Sequence, residues 1–472
     1  MLFSSLTFLY IYIPLLCFLY FIINNSVYRR VILTIFSVLF YAWGEPVFVF
    51  LILGSVFVNY ISGILINRAE NNPVLRKTYL IISIILNLSI LAIFKYTPMA
   101  IETVNSIVGL EIPIPNITMP IGISFYTFQA MSYVIDVFRK DTEVQKSYFD
   151  LLLYITLFPQ LIAGPIVRYK DIALQIPQRN VDIDKINQGI FRFCIGLAKK
   201  VIIANNCGSV CKALLENTEN RAVLGLWVGM IFFSLQIYFD FSGYSDMAIG
   251  LGKIFGFEFK ENFNYPYLSK SATEFWRRWH ISLGTFFRDY IYIPLGGNRK
   301  FWLRNVLVVW FLTGLWHGAS WNFVLWGLFY GVILIIEKKI IFPAIKDNSN
   351  VITSIMSYIA MFFVTVFGWT IFYFTDFTEL KTVLCGMVGL GKLPLTDVFA
   401  NSIITENVFL LVTALIAAFP IFTRICNTAV EKLKIKDDIM IYIKMIYSMI
   451  LLLISTAMLT SGSYNPFLYF RF

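Results

Sequence analysis

The stretch TYLIISIILNLSILAIFK, residues 78–95, points to the fold class, because its only charge is the lysine at its end. A transmembrane helix needs about 20 consecutive, mostly apolar residues. Comparable runs lie near 5–23, 46–66, 223–239, 321–337, 355–374, 405–424 and 441–460. Shorter or interrupted runs lie near 31–43, 119–138, 150–166, 189–204, 244–256 and 305–316. The sequence therefore predicts an all-α polytopic membrane protein with about 11 to 13 transmembrane or re-entrant helices.

Glycine and proline interrupt two of the shorter runs, at positions 120, 122, 159, 164 and 165. They predict broken helices or turns there. Irregular backbone is tolerated at membrane depth only where protein or water covers it. We therefore expect an internal cavity near such segments.

The composition also favours a membrane protein over a soluble one. Of 472 residues, 58% are hydrophobic and 14% are charged, whereas soluble domains are nearer half apolar and a quarter charged. The net charge of +10 does not require nucleic acid, because basic pairs such as Arg29–Arg30 and Arg139–Lys140 lie in short loops between apolar runs. We expect residues 1–472 to form one multi-pass membrane domain whose partner is the lipid bilayer.

The segment 253–304 is basic and rich in aromatic residues. Residues 271–292 within it fit an amphipathic helix at the membrane interface. This helix could serve only as a surface anchor. Alternatively, Trp276, Arg277 and Arg278 could belong to a rim that binds a phosphate-bearing donor, since guanidinium groups bind phosphate in a bidentate way.

The chain contains two histidines, His280 in EFWRRWHISLG (274–284) and His317 in FLTGLWHGASWNFVLWG (311–327). Histidine is the side chain best suited to accept a proton near neutral pH. An ionisable group at membrane depth is a functional hypothesis by default. For each histidine, a purely structural packing role stays open beside the catalytic one.

His317 lies in an apolar run without charge between Arg304 and Glu337. If residues 308–326 form one helix, the side chains that share the face of His317 are those of Thr313, Gly314, Ser320 and Trp321. A small, hydroxylated face of this kind suits the wall of a water-accessible tunnel.

A third polar cluster is QIYFDFSGYSDMAIG, residues 236–250, which includes Gln236 and Asp240. A carboxylate in an embedded segment needs a partner or water. Asp240 could orient a histidine, bind a basic side chain or belong to a structural network. No spacing in the chain predicts a metal site, a phosphate-binding loop or a serine–histidine–aspartate triad.

Six segments together resemble the membrane-bound O-acyltransferase family, in its bacterial alginate and peptidoglycan O-acetyltransferase type more than its teichoic acid D-alanylation type. They are FYAWGEP (40–46), PIGISFYTFQ (120–129), FPQLIAGPIVR (158–168), QIYFDFSGYSDMAIG (236–250), FWRRWHISLGTFFRDYIYIPLGG (275–297) and TGLWHGASWNFVLWG (313–327). They follow the family's order over nearly the whole chain.

The resemblance implies a funnel of helices around a central tunnel in the bacterial cytoplasmic membrane. It implies transfer of an acetyl group from cytoplasmic acetyl-CoA towards a cell-wall or extracellular polysaccharide, through an extracytoplasmic serine-esterase-like (SGNH) partner. His317 and His280 match the family's two histidines, which implies that His317 acts as general base or positions the acyl group for attack. No bound cofactor or metal is expected. We expect the donor site or tunnel wall to include Trp276, Arg277, Arg278, Asp240, Gln236, Ser320, Trp321 and Asn322.

The last six residues, FLYFRF (467–472), fit a pattern F-x-Y-x-x-F. The pattern resembles the end of a small partner peptide of the D-alanylation system, which implies that Tyr469 carries the acyl group as a transient ester. The alternative is an aromatic anchor at the membrane interface.

Two other functions stay open. One is transfer of D-alanine from a carrier protein. The other is a transporter or flippase for a lipid-linked sugar, which should show inverted repeats with paired broken helices; we find no such pairing in the sequence.

Overall fold

The computed structural model describes residues 1–217, 221–345, 350–461 and 467–468. Over these ranges the chain is built from helices joined by turns and loops, without a β-strand. The predicted all-α class is therefore confirmed.

The described residues fall into two compact units. The first unit comprises Met1–Leu197 and Tyr244–Glu261, and the second comprises Ala198–Gly243 and Asn262–Leu468. The long helix Val223–Ile254 contributes residues to both units. The two histidines belong to the second unit.

The first unit begins with a π-helical turn, Phe8–Tyr12, and has a second one at Ala92–Tyr96. Its α-helices are Ile13–Ile22, Ser26–Gly44, Val49–Arg68, Pro73–Leu91, Thr97–Val108, Ile123–Arg139, Tyr148–Thr156, Phe158–Leu161, Tyr169–Ile172 and Ile183–Ala198. The breaks predicted from glycine and proline are confirmed, since one helix starts only after Gly122 and another ends at Thr156, before Pro159.

The second unit contains π-helical segments at Lys199–Ala204, Arg288–Tyr292 and Glu337–Ile341. Its α-helices, apart from the long shared one, are Asn205–Leu215, Ala272–Arg278, Ile281–Phe287, Trp302–His317, Trp321–Ile336, Phe342–Ile345, Val351–Tyr373, Phe377–Met387, Val398–Glu406, Val408–Ala418, Ile421–Leu433 and Asp437–Ser461.

Capping residues explain where several helices begin. The Asn72 side chain accepts a hydrogen bond from the Leu75 amide, and Pro73 occupies the first helical position, where no N–H is needed. Asn350 and Thr353 form a reciprocal capping box. These polar residues end the loops between apolar runs, so the helix starts are local consequences of the sequence.

Six helices in the described part of the chain are long and apolar enough to cross a membrane. They are Ser26–Gly44, Val49–Arg68, Pro73–Val108, Val223–Ile254, Val351–Tyr373 and Asp438–Ser461. The pair Val398–Glu406 and Val408–Ala418 is bent by 58° and would make a seventh span if counted as one. The protein is thus a multi-pass membrane protein. The remaining predicted transmembrane or re-entrant segments are shorter or broken helices.

The single amphipathic helix predicted for residues 271–292 is wrong. The helix Ala272–Arg278 ends before His280, a new helix runs from Ile281 to Phe287, and a π-helical segment follows. His280 adopts φ 45° and ψ 53°, a left-handed conformation that cannot continue a right-handed helix. The break occurs at a histidine rather than at a glycine or proline, so sequence rules for helix termination do not reveal it.

A tight helical hairpin carries the second histidine. Trp302–His317 and Trp321–Ile336 approach so closely that a Cβ atom on Gly327 would lie 2.2 Å from the Trp310 carbonyl oxygen. A Cβ on Gly314 would lie 2.3 Å from the Phe323 carbonyl oxygen. Small residues allow such close packing of membrane helices.

Replacing Gly327 by alanine should therefore destabilise the protein by about 1–3 kcal/mol, because the new methyl group meets backbone that cannot move without separating the helices. Thermal unfolding in detergent, followed by tryptophan fluorescence, measures this change. The matched control is Gly54→Ala, also within a helix, where a Cβ meets no atom within 4 Å. Equal shifts in the two variants would contradict the packing argument.

Candidate functional site: two histidines near Trp316

His280 sits between two short helices, outside the long apolar helices, and is 2% exposed. Its Nδ1 lies 3.2 Å from Asn262 Oδ1. The Ser282 backbone N–H donates to the same oxygen at 3.1 Å. Because a backbone N–H can only donate, the atom that it contacts is the amide oxygen, and His280 Nδ1 must carry a proton to bond it. In the neutral ring, Nε2 then holds the lone pair.

Burial lowers the pKa of the His280 imidazole to about 3. The ring is therefore neutral at physiological pH. Together with the tautomer set by Asn262, this leaves Nε2 with a lone pair that can accept a hydrogen bond, while burial disfavours its protonation.

This shifted pKa predicts acid sensitivity of the fold. Between pH 6.5 and 3 the unfolded chain binds a proton at His280 that the folded chain does not, so stability is fully present above pH 6.5 and is lost as pH falls. At pH 5 the loss should be about 2 kcal/mol. Unfolding measured against pH in detergent should show a shallower decline for His280→Gln than for wild type. Parallel curves for the two proteins would contradict the assignment.

His317 is the last residue of its helix, and Gly318 continues in an extended conformation. The imidazole is 4% exposed. Its ring centroid lies 4.9 Å from Trp316, 4.8 Å from Trp326 and 5.3 Å from Phe372, all nearly edge-on. The ring is thus held at the end of a helix within an aromatic enclosure that fixes its orientation.

The fold brings the two histidines to the same tryptophan. The centroid of the Trp316 ring lies 5.8 Å from His280 and 4.9 Å from His317. The two histidines come from separate helical segments, and no sequence pattern indicates that both lie near the same tryptophan.

Trp276 belongs to the aromatic layer next to His317. Its ring centroid lies 4.8 Å from Trp310, 5.4 Å from Trp326 and 4.8 Å from Tyr330. Trp326 also contacts His317, so the Trp326 ring connects Trp276 to the imidazole.

The predicted shared face of His317, Ser320 and Trp321 is wrong. It assumed one helix over 308–326, but the first helix ends at His317 and Ser320 is the N-cap of the next. The Trp321 side chain is 47% exposed. Because a turn separates the two helices, Ser320 and Trp321 do not share a helix face with His317.

Asn322, the next residue, is fully buried and supports the enclosure indirectly. Its amide nitrogen donates to the carbonyl oxygens of Ile371 and Phe372, at 3.2 Å each. These bonds tie the start of the helix Trp321–Ile336 to the end of Val351–Tyr373. Because Phe372 packs on His317, Asn322 positions one wall of the imidazole's enclosure.

The two arginines of the expected donor rim differ in their surroundings. Arg277 is exposed. Arg278 forms an ion pair with Glu274 one turn earlier, at 2.8 Å, and donates to the Asn264 carbonyl oxygen. Arg277 is thus the more accessible of the two cations.

Two residues of the polar cluster on the long helix, Gln236 and Asp240, contact other helical segments of the second unit. The Gln236 side chain packs on Gly208, where a Cβ would lie 2.5 Å from its amide nitrogen. The Asp240 carboxylate forms an ion pair with Lys200 at 2.5 Å. Its other oxygen accepts a hydrogen bond from the Leu468 amide. Tyr469 itself lies outside the described residues.

Sequence reasoning missed Asn262, Phe372 and Lys200. The first two act through folded contacts and carry no motif of their own. Lys200 had a usable signal, because a lysine within the apolar run 189–204 requires a partner.

This chain is similar to known proteins over most of its length. The membrane-bound O-acyltransferase family (MBOAT) matches residues 74–347. A probable alginate O-acetylase of Azotobacter vinelandii is 35% identical, with all of both chains covered. A peptidoglycan O-acetyltransferase of Helicobacter pylori is 30% identical, covering 100% of this chain and 98% of that protein. A teichoic acid D-alanyltransferase of Bacillus subtilis is 30% identical over 47% of this chain and 60% of its own. Both histidines fall within the matched residues.

Proposed function

This chain belongs to the membrane-bound O-acyltransferase family, and from that premise we propose that it moves acetyl groups from cytoplasmic acetyl-CoA across the membrane for O-acetylation of a polysaccharide. The chain is an O-acyltransferase with a multi-pass, all-α fold. The observation that supports this proposal most directly is the pair of buried histidines whose rings both lie near Trp316.

His317 acts as the general base. It takes the proton from an attacking hydroxyl group as the oxygen adds to the thioester carbonyl carbon. A carbon–oxygen bond forms, the carbon–sulfur bond breaks, and the proton passes to the departing thiolate of coenzyme A. The aromatic enclosure supports this role, because it holds the ring in one orientation and limits competing water.

His280 supplies a hydrogen-bond acceptor rather than a second base. Asn262 directs its proton to Nδ1, so Nε2 can accept a hydrogen bond from the attacking hydroxyl or from a donor group in the tunnel. We also place five further residues in the wall of this proposed tunnel: Trp276, Gln236, Ser320, Trp321 and Asn322. Ser320 and Trp321 would line it from the start of the helix Trp321–Ile336 rather than from the helix of His317.

The donor enters from the cytoplasmic side at the basic rim. Acetyl-CoA carries phosphate groups, and Arg277 is an exposed guanidinium next to the aromatic layer. The internal ion pair of Arg278 with Glu274 supports a positioning role for that side chain.

Tyr469 is the first acceptor in this proposal. Its phenolic oxygen takes the acetyl group as an ester and presents it at the outer face to an extracytoplasmic serine-esterase-like protein. That partner completes transfer to the polymer. The names of the similar proteins support a polysaccharide acceptor, such as alginate or peptidoglycan.

The test is donor consumption by purified protein in liposomes. Thiol release from acetyl-CoA, followed with a thiol reagent, should exceed the spontaneous rate and depend on protein concentration. A D-alanyl carrier-protein thioester, offered in parallel, should release no additional thiol. Release from the carrier alone would instead favour the D-alanyl function. Flux of a lipid-linked sugar without any thiol release would favour a transporter.

A further inference from the structure

Lys200 and Asp240 form an ion pair that is shielded from solvent. Their side chains are 2% and 3% exposed, and Lys200 Nζ lies 2.5 Å from Asp240 Oδ1. Lys200 comes from the π-helical segment Lys199–Ala204, and Asp240 comes from the middle of Val223–Ile254. Burying two charges is costly, and apolar residues of similar size often serve stability as well. Stability alone therefore does not explain why an ion pair is buried here.

Both members of the pair contact the end of the chain. The Leu468 backbone N–H donates to Asp240 Oδ2 at 2.8 Å. Lys200 Nζ lies 4.6 Å from the centre of the Phe467 ring, a cation–π contact. Phe467 is 1% exposed. The carboxylate thus holds the backbone of this segment while the ammonium holds its side chain.

These two contacts define the register of the segment. An aromatic ring in a buried site can shift along an apolar surface, but a charge-assisted hydrogen bond to one particular amide cannot move by a residue without being lost. Leu468 is followed directly by Tyr469 in the sequence. Holding the Leu468 amide therefore determines where the segment that carries Tyr469 begins.

We propose that Lys200 and Asp240 form a latch that seats the C-terminal segment at Phe467 and Leu468 and so positions Tyr469 for acylation; the second part rests on the proposed function. Lys200 and Asp240 are positioning residues in this scheme. The latch also explains why an ion pair, rather than two apolar residues, occupies this place.

The first arm of the test measures seating without reference to catalysis. The double variant Lys200→Met/Asp240→Leu removes both charges together, because either single change leaves an uncompensated buried charge. Hydrogen exchange of the Leu468 amide, measured on the full chain in detergent, should become at least about tenfold faster. The matched control, Arg221→Met/Glu379→Leu, removes another ion pair of the same unit and should leave this amide unchanged. Unchanged exchange in the latch variant overturns the proposal.

The second arm measures positioning. With labelled acetyl-CoA at a saturating concentration, where a change in donor binding no longer affects the rate, the latch variant should label Tyr469 at least about tenfold more slowly. Faster exchange of Leu468 combined with wild-type labelling of Tyr469 would overturn the positioning role. Absence of label at Tyr469 in the wild type would refute the proposed relay, and the exchange arm would still decide whether the latch seats the segment.

Discussion

Replacing His317 by glutamine should lower acetyl-CoA-dependent thiol release by at least about 100-fold, because a positioned general base contributes 10²–10⁴-fold to such reactions. Glutamine approximates the size and polarity of the imidazole but cannot take a proton at neutral pH. The enclosure by Trp316, Trp326 and Phe372 should still pack around it.

The control for this prediction is Phe311→Leu. Phe311 lies on the same helix six residues before the histidine, and it is 38% exposed. This variant should retain wild-type turnover. Thermal unfolding of all three proteins shows whether any loss of turnover is a loss of folding. A folded His317→Gln protein with turnover within a few-fold of wild type would remove His317 from the chemistry.

Replacing Tyr469 by phenylalanine should abolish covalent acetylation of the chain and of the final polymer. The aromatic ring is retained, so an anchoring role at the membrane interface would survive the change, but the oxygen that forms the ester is gone. The measurement is label retained on the denatured chain, together with acetyl content of the polymer in cells.

Tyr442→Phe is the matched control, because Tyr442 is 63% exposed on the last described helix and undergoes the same chemical change. It should be indistinguishable from wild type. Persistent polymer acetylation in Tyr469→Phe would leave only the anchoring role for Tyr469.

The fold class could be predicted because long apolar runs have few alternatives to a membrane helix. Runs such as 46–66 and 355–374 correspond to the helices Val49–Arg68 and Val351–Tyr373. What the runs could not give is the number of complete spans. Local breaks, such as the bend at Asn407 between Val398–Glu406 and Val408–Ala418, depend on packing as well as on composition.

The two histidines could be singled out by their rarity and their surroundings, but the geometry around them could not. The left-handed backbone of His280 and the end of the helix at His317 both contradict a continuous helical pattern. Asn262 fixes the His280 tautomer from a loop 18 residues earlier, and Lys200 meets Asp240 from another helical segment. Such contacts arise from tertiary structure, and no local pattern encodes them.

The most direct test of the role of His317 is label transfer from radiolabelled acetyl-CoA to the purified chain in liposomes, comparing wild type with His317→Gln. We predict that the wild type retains label at Tyr469 and releases free thiol, and that the folded variant does neither above background. Equal labelling and equal thiol release by the two proteins would show that His317 does not drive acyl transfer.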